Sequence, residues 1–169
     1  MNLAPPSAQM AFQAVVAAPA FALGIRCDAD EITAIEFLAA RPEVPPETAL
    51  AAEAVHQLAA YLADPAFRFG LPLKPAGTVF QRRVWGEISG IPLGRTNTYG
   101  ELAKRLKNAP RAVGQACGAN PYPLVVPCHR VVAAGGGLGG FNRQGGGFLL
   151  DVKRWLLRHE GISLDAPAR

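Results

Sequence analysis

A chain of 169 residues, half of them apolar and 18% charged, has the material for one packed domain or two small ones, and global disorder is excluded. Three cysteines, none in a Cys-x-x-Cys pair, argue against a disulfide scaffold and a zinc ribbon. The net charge of +4 is unevenly spread: residues 1–74 hold four basic side chains against eight acidic, and residues 75–169 hold thirteen against five.

The basic half suggests a polyanion partner. A solvated basic face with no partner accounts for the charge equally well. Met10 to Ile25 is nearly all apolar, but no basic residue precedes Arg26 and Pro19 interrupts the run. A secretory signal and a membrane span are therefore not expected, and the protein is placed in the cytoplasm with its thiols reduced.

Three strands are predicted at Ala11–Ala17, Phe21–Cys27 and Ile32–Leu38, rich in Val, Ile and Phe and separated by Pro19 and by Asp28-Ala29-Asp30. Pro42, Pro45 and Pro46 end the sheet. A helix follows from Glu47 to Ala63, with Leu50, Val55, Leu58 and Leu62 as its apolar steps. His56 and Cys27 read as structural residues. The proline- and glycine-containing stretch Gly70 to Gly77 is a linker, which sets an N-terminal α/β domain at 1–74 and a second domain at 75–169.

Beyond the linker the pattern turns helical. Thr78-x-x-Gln81 and Thr98-x-x-Glu101 fit the capping box, in which the Thr oxygen takes an orphan amide and the later side chain reaches back. The first opens a helix to about Ser89, with Phe80, Val84, Trp85 and Ile88 as candidate buried positions. The second opens a helix from about Tyr99 to Lys107. Pro110 suits the first turn of another, about Arg111 to Gly118, made mostly of small residues. Two short helices joined by a tight turn match a helix-turn-helix.

Asn120-Pro121-Tyr122-Pro123 leads into Leu124-Val125-Val126, read as a buried strand that ends at Pro127-Cys128-His129-Arg130. A thiolate at neutral pH needs a base or a positive neighbour, and the adjacent imidazole and guanidinium are two candidates. The same tetrapeptide also fits a buried cysteine beside a solvent-facing His and Arg.

Gly77-Thr78-Val79-Phe80-Gln81, Val84-Trp85, Ile91-Pro92-x-Gly94, Thr98-Tyr99, Leu102-Ala103, Arg111-Ala112-Val113-Gly114, Asn120-Pro121, Pro127-Cys128-His129-Arg130-Val131, Leu156-Leu157 and His159-Glu160-Gly161 occur in one order. Together they resemble the methylated-DNA–protein-cysteine methyltransferases, the O6-alkylguanine-DNA alkyltransferases, in their stand-alone bacterial form. The resemblance covers residues 75 to about 162 and only loosely the N-terminal domain. It implies an α/β (α+β) protein: a small N-terminal sheet with a helix, then a helical, winged-helix-like domain carrying the helix-turn-helix.

The implied activity is DNA repair. An alkyl group passes irreversibly from guanine O6, and possibly from thymine O4, to Cys128, so each molecule acts once. In this resemblance a water links Cys128 to His129, Glu160 orients that histidine, and Asn120 holds the turn that carries the recognition helix. Tyr99 donates to the guanine ring as charge builds on the leaving base. Arg111 fills the base stack after the damaged nucleotide is flipped out. Ala112 and Gly114 let the helix approach the minor groove of double-stranded DNA, and Gln81, Thr98 and Gly100 contact phosphates. Cys117, Val131, Phe141 and Asn142 line the alkyl pocket, with a second acceptor as the other reading of Cys117. Trp85 and Trp155 are expected in the core. No cofactor and no catalytic metal are implied, and a monomer is expected.

Two departures stand out. The turn between the paired helices is about two residues shorter than the family's and lacks its glycine. The loop Gly139 to Phe148 replaces a Gly-Tyr-x-Gly-Gly stretch, which leaves the preferred alkyl size open and suggests a rim wide enough for benzyl. Three alternatives compete: a non-enzymatic lesion binder on the same scaffold, which lacks the acceptor cysteine; a winged-helix regulator, which leaves Cys128, His129 and Glu160 without a use; and a cysteine hydrolase, for which strand neighbours face opposite ways.

Overall fold

The computed structural model describes residues 11–139 and 147–163. Phe141 and Asn142 lie outside the described residues, as does most of the loop that carries them. The chain is mixed α/β and divides into two compact units, Met1–Lys74 and Pro75–Arg169.

In the first unit, β1 (Ala14–Ala17), β2 (Ala22–Cys27) and β3 (Ile32–Leu38) form an antiparallel sheet in that order. Helix α1 (Ala49–Ala63) packs on β1 and β2. Its N-cap is Thr48, whose hydroxyl accepts from the Ala51 amide at 3.1 Å, so the helix begins after the Pro45-Pro46 pair and not within it. The buried stripe is Ala51, Ala54, Leu58 and Tyr61. Leu50, Val55 and Leu62 flank it half-buried, and the buried Tyr61 ring packs on Phe69, centroids 5.6 Å apart. His56 is exposed.

The second unit is helical. Helix α2 (Val79–Ser89) opens on the full capping box: Thr78 Oγ1 accepts from the Gln81 amide at 3.1 Å, and Gln81 Oε1 accepts from the Thr78 amide at 2.9 Å. Val84, Trp85 and Ile88 are buried, and the Trp85 indole donates to the Ala116 carbonyl at 2.8 Å. Phe80 is only half-buried. Strand β4 (Asn97–Thr98) runs straight into α3 (Tyr99–Leu106), whose capping box uses Thr98 and Glu101. Lys107 takes the left-handed position after α3, at φ 53°, where a glycine is the usual choice. Helix α4 (Pro110–Gly118) follows at once with Pro110 in its first turn and packs on α2 and α3, completing the helix-turn-helix pair.

The segment predicted as a buried strand is not one. Leu124 has φ 74°, Pro123 and Val126 form only an isolated bridge, and Cys128 opens a 3₁₀ turn, Cys128–Arg130. Prolines at 121, 123 and 127 have no amide to donate, so this stretch cannot form a ladder and closes instead into consecutive turns. Strand β5 (Val131–Val132) then pairs in parallel with β4, Asn97 opposite Val131 and Thr98 opposite Val132. That short pairing brings the start of α3 beside the end of the Cys128 turn. Helix α5 (Phe148–His159) closes the unit, burying Val152, Lys153, Leu156 and Leu157. Trp155 is half-buried and stacks on His159, centroids 4.8 Å apart, so it faces away from the core position expected for it.

Gly77 sets the entry to α2. Its φ is 85°, and a Cβ there would lie 2.5 Å from the Trp85 ring. Gly77→Ala is expected to destabilise the protein by about 1–3 kcal/mol from backbone strain alone, with the ring clash adding to it, as measured by urea unfolding.

Candidate active site

Cys128 lies at the head of its 3₁₀ turn and is 3% exposed. The Asn120 carboxamide organises the approach to it. Asn120 Oδ1 accepts from the Tyr122 amide at 2.9 Å, and Nδ2 donates to the Val126 carbonyl at 2.9 Å and to Cys128 Sγ at 3.1 Å. One buried side chain thus replaces the ladder that the prolines forbid and aims a donor at the sulfur.

Cys117, on the buried face of α4, is near enough to Cys128 to act on its thiol. The Cys117 side chain, followed by burial and the charge Cys117 would carry, pushes the Cys128 thiol well above its usual range; the Asn120 donor and the Lys153 ammonium pull the other way without prevailing. At rest Cys128 is therefore a thiol and not the thiolate that the Pro-Cys-His-Arg motif leads one to expect.

Neither expected neighbour supplies a positive charge. Arg130 spends its guanidinium on Glu160 (Nε to Oε1 2.7 Å) and on the Ile91 carbonyl (2.7 Å). His129 Nε2 is 2.6 Å from Glu160 Oε2, and both side chains are buried. Close as it is to that carboxylate, the imidazole is held below its ordinary 6.5, because burial outweighs Glu160 and because Arg130 already balances the charge. His129 is thus neutral near pH 7. Nε2–H donates to Glu160, and this tautomer leaves Nδ1 as the basic nitrogen.

The cation near the thiol is one the sequence reading missed. Lys153, with no exposed surface, donates from Nζ to the Val131 carbonyl at 2.7 Å and to the Leu138 carbonyl at 2.5 Å. Burial lowers its pKa to about 8, against an opposing pull from Cys117 and Cys128, so it stays charged at neutral pH. The available signal was its place within the apolar stripe of α5, between Val152 and Leu156. The Lys153 ammonium also stands 5.8 Å from the Tyr99 ring centroid.

Tyr99, half-buried at the start of α3, is flanked by two glycines. A Cβ on Gly114 would be in ordinary contact with its ring at 4.0 Å, and one on Gly139 would collide with it at 2.8 Å. Burial, then Cys117 and Cys128, push its phenol up, so it remains a donor. Val131 is fully buried. The structure thus ties Asn120 to Cys128 and Glu160 to His129, the next residue in the chain, and places Cys117 and Tyr99 where they act on one another electrostatically.

Of the residues expected on DNA, Gly114 borders the Tyr99 ring, and Thr98 and Gly100 adjoin Tyr99 in the chain. Arg111 is exposed on α4, and Thr98 and Gly100 are half-buried at the start of α3. Ala112, Gln115 and Ala116 line a cavity of about 530 Å³ with Thr78, Phe80 and Gln81. The Gln81 oxygen is engaged in its own capping box. Among the described residues no group of three or more His, Cys, Asp or Glu is placed to hold a metal ion.

Comparison with known proteins supplies the family. Residues 79–162 match the DNA-binding domain of 6-O-methylguanine DNA methyltransferase. The chain is 47% identical over 111 residues to a methylated-DNA–protein-cysteine methyltransferase of Methanosarcina acetivorans, covering 64% of this chain and 68% of that one. The chain belongs to this methyltransferase family. A relative in Mycolicibacterium paratuberculosis is 48% identical over 119 residues, 67% of this chain and 69% of its own. The crystal structure of Mycobacterium tuberculosis OGT in complex with DNA superposes with a TM-score of 0.72 at 37% identity, covering 86% of this chain and 90% of that one.

Two measurements test the electrostatics of this family member. The folded protein binds fewer protons at His129 than the unfolded chain does, so this residue's contribution to stability is complete above about pH 6.5 and is lost as pH falls toward the depressed folded value. Histidine NMR should show one imidazole titrating below 6.5, with urea stability declining over the same range, and His129→Gln should remove that part of the decline. Lys153→Met should raise the Cys128 pKa, each unit slowing alkylation by iodoacetamide about tenfold at fixed pH. The pH–rate profile of Cys128 labelling reads that shift.

Proposed function

We propose that the protein repairs O6-alkylguanine in double-stranded DNA by moving the alkyl group to Cys128 Sγ. The carrying observation is the buried sulfur itself, held by Asn120 Nδ2 at 3.1 Å, with a neutral histidine next to it in the chain. Sγ attacks the alkyl carbon, the S–C bond forms as the C–O6 bond breaks, and the electron pair of that bond leaves on guanine. The thiol proton passes through a water to His129 Nδ1, which Glu160 orients through Nε2. The Tyr99 hydroxyl, kept protonated by its surroundings, donates to the departing base. The thioether has no leaving group that water or a side chain here could expel, so the protein is consumed by one event.

A base inside a duplex cannot present O6 to a buried sulfur, so the nucleotide is extruded. It enters beside Tyr99, whose ring is bordered by two residues without side chains, Gly114 and Gly139. Exposed Arg111 fills the vacated stack. The small residues of α4 meet the minor groove, and Thr98, Gly100 and Gln81 lie along the phosphates. These roles belong to residues 75–169, which carry the basic excess, and residues 1–74 serve as a structural domain. Binding is accordingly salt-sensitive with little sequence preference. Among the described residues no helix is long and apolar enough to cross a membrane, and a cytoplasmic location suits reduced thiols.

Intact-mass measurement after incubation with duplex DNA containing O6-methylguanine tests the reading. The expected result is a single methyl addition, mapped to Cys128, that does not rise with further substrate and is absent from Cys128→Ser. Lesion binding without any mass change in the wild type would favour a non-enzymatic binder and reject the transfer.

A further inference from the structure

Helix α4 turns one face outward. Arg111 and Gln115 are exposed on it, Ala112, Gly114 and Gly118 are half-buried beside them, and Val113, Ala116 and Cys117 are buried. Gly114 borders the Tyr99 ring, so this face adjoins the residue assigned above to the departing base. Arg111 and Gln115 are its two long side chains, and Arg111 is committed to the vacated stack. Gln115 follows one helical turn later, about 6 Å along the axis. It borders the cavity of about 530 Å³ together with Thr78 and Gln81. The Thr78 hydroxyl and the Gln81 oxygen are both spent on the capping box of α2. Among the described residues no hydrogen bond or ion pair engages the Gln115 carboxamide, so its Oε1 acceptor and its Nε2 donors are free.

We propose that Gln115 is a specificity-determining residue, which makes the protein favour lesions with a guanine-containing pair one or two steps away. The inference rests on the minor-groove docking of α4 set out under the proposed function. In that groove A·T and T·A pairs offer acceptors alone, at adenine N3 and thymine O2, whereas a G·C pair adds the guanine N2 amino donor. Arginine and lysine only donate, so they have nothing to offer that amino group; a carboxamide both donates and accepts. At a G·C pair Nε2 donates to guanine N3 while Oε1 accepts from the N2 amino group. At an A·T pair Oε1 is left facing another acceptor. The rise from Arg111 to Gln115 spans one to two base steps of about 3.4 Å, which fixes where the reading falls. Phosphate contacts still supply most of the affinity and carry no sequence information, so the preference is confined to that step.

The test uses duplexes that carry O6-methylguanine and differ by a single amino group. Inosine·C in place of G·C removes the minor-groove amino group, and diaminopurine·T in place of A·T adds it. Each replacement is made in turn at the first and second pairs on either side of the lesion. Single-turnover methyl uptake by the full-length protein is followed by intact mass. At one of these positions the wild type is expected to react about fivefold faster, or more, when the amino group is present, whichever pair bears it. Gln115→Ala should react alike with every duplex, at the wild-type rate for duplexes that lack the amino group. Alanine is a good helix former and the position is exposed, so the variant keeps the fold. Wild-type rates that ignore the amino group at all of these positions would overturn the proposal, as would a preference that persists undiminished in Gln115→Ala. Equilibrium binding of Cys128→Ser to the same duplexes makes the comparison without alkyl transfer. A protein that binds with the preference but takes up no methyl fails the repair reading and not this one.

Discussion

The geometry of the site depends on one side chain. The stretch from Asn120 to Pro127 contains three prolines and a left-handed leucine, so its backbone cannot satisfy itself through a strand ladder. Asn120 supplies what is missing, accepting from Tyr122 and donating to Val126, and its second donor contact falls on Cys128 Sγ. Holding the turn and addressing the sulfur are the same act. An aspartate here would accept but not donate, and a leucine would do neither, so the buried carboxamide answers to both the fold and the chemistry.

Around that turn, charges are arranged by burial more than by proximity. Buried His129 and Glu160 and half-buried Arg130 form a set whose net charge is zero while the imidazole is neutral, since Arg130 balances Glu160. Protonating the histidine would leave an uncompensated charge out of water, which is why close contact with a carboxylate does not raise its pKa. Lys153 completes the pattern from α5. Its ammonium is held by two carbonyls, one from β5 and one from the following segment, and so is fixed relative to the Cys128 turn by the same backbone that β4 pairs with.

The legible parts of the sequence were the local ones. Thr78 with Gln81 and Thr98 with Glu101 announce helix starts because the capping box is completed within four residues, and both form as written. The three strands and the helix-turn-helix were legible for the same reason. Leu124 to Val126 was misread because an apolar run carries no sign of whether its neighbours can pair, and here prolines on both sides prevent it. Trp155 was misassigned because aromatic size argues for burial, whereas the α5 stripe of Val152, Lys153, Leu156 and Leu157 puts it on the flank. Lys153 itself escaped notice because lysine on a helix is ordinarily solvated; only its partners, remote in sequence, show that it is not. The influence of Cys117 on Cys128 is of the same kind, since it exists only once α4 and the 3₁₀ turn are folded together.

A sulfur that is protonated at rest suits an acceptor that is used once. A standing thiolate would react with any electrophile or oxidant small enough to reach it, and every such event would consume a molecule. Cys117 and burial hold the proton on, while Asn120, Lys153 and the basic nitrogen of His129 stand ready to favour its departure. The balance between the two sets is what substrate has to tip. In the proposed transfer, a flipped base brings an electrophilic carbon to Sγ, so that loss of the proton is coupled to formation of the S–C bond and no free thiolate need accumulate. The cluster therefore derives its selectivity from restraint of the nucleophile as much as from recognition of the base.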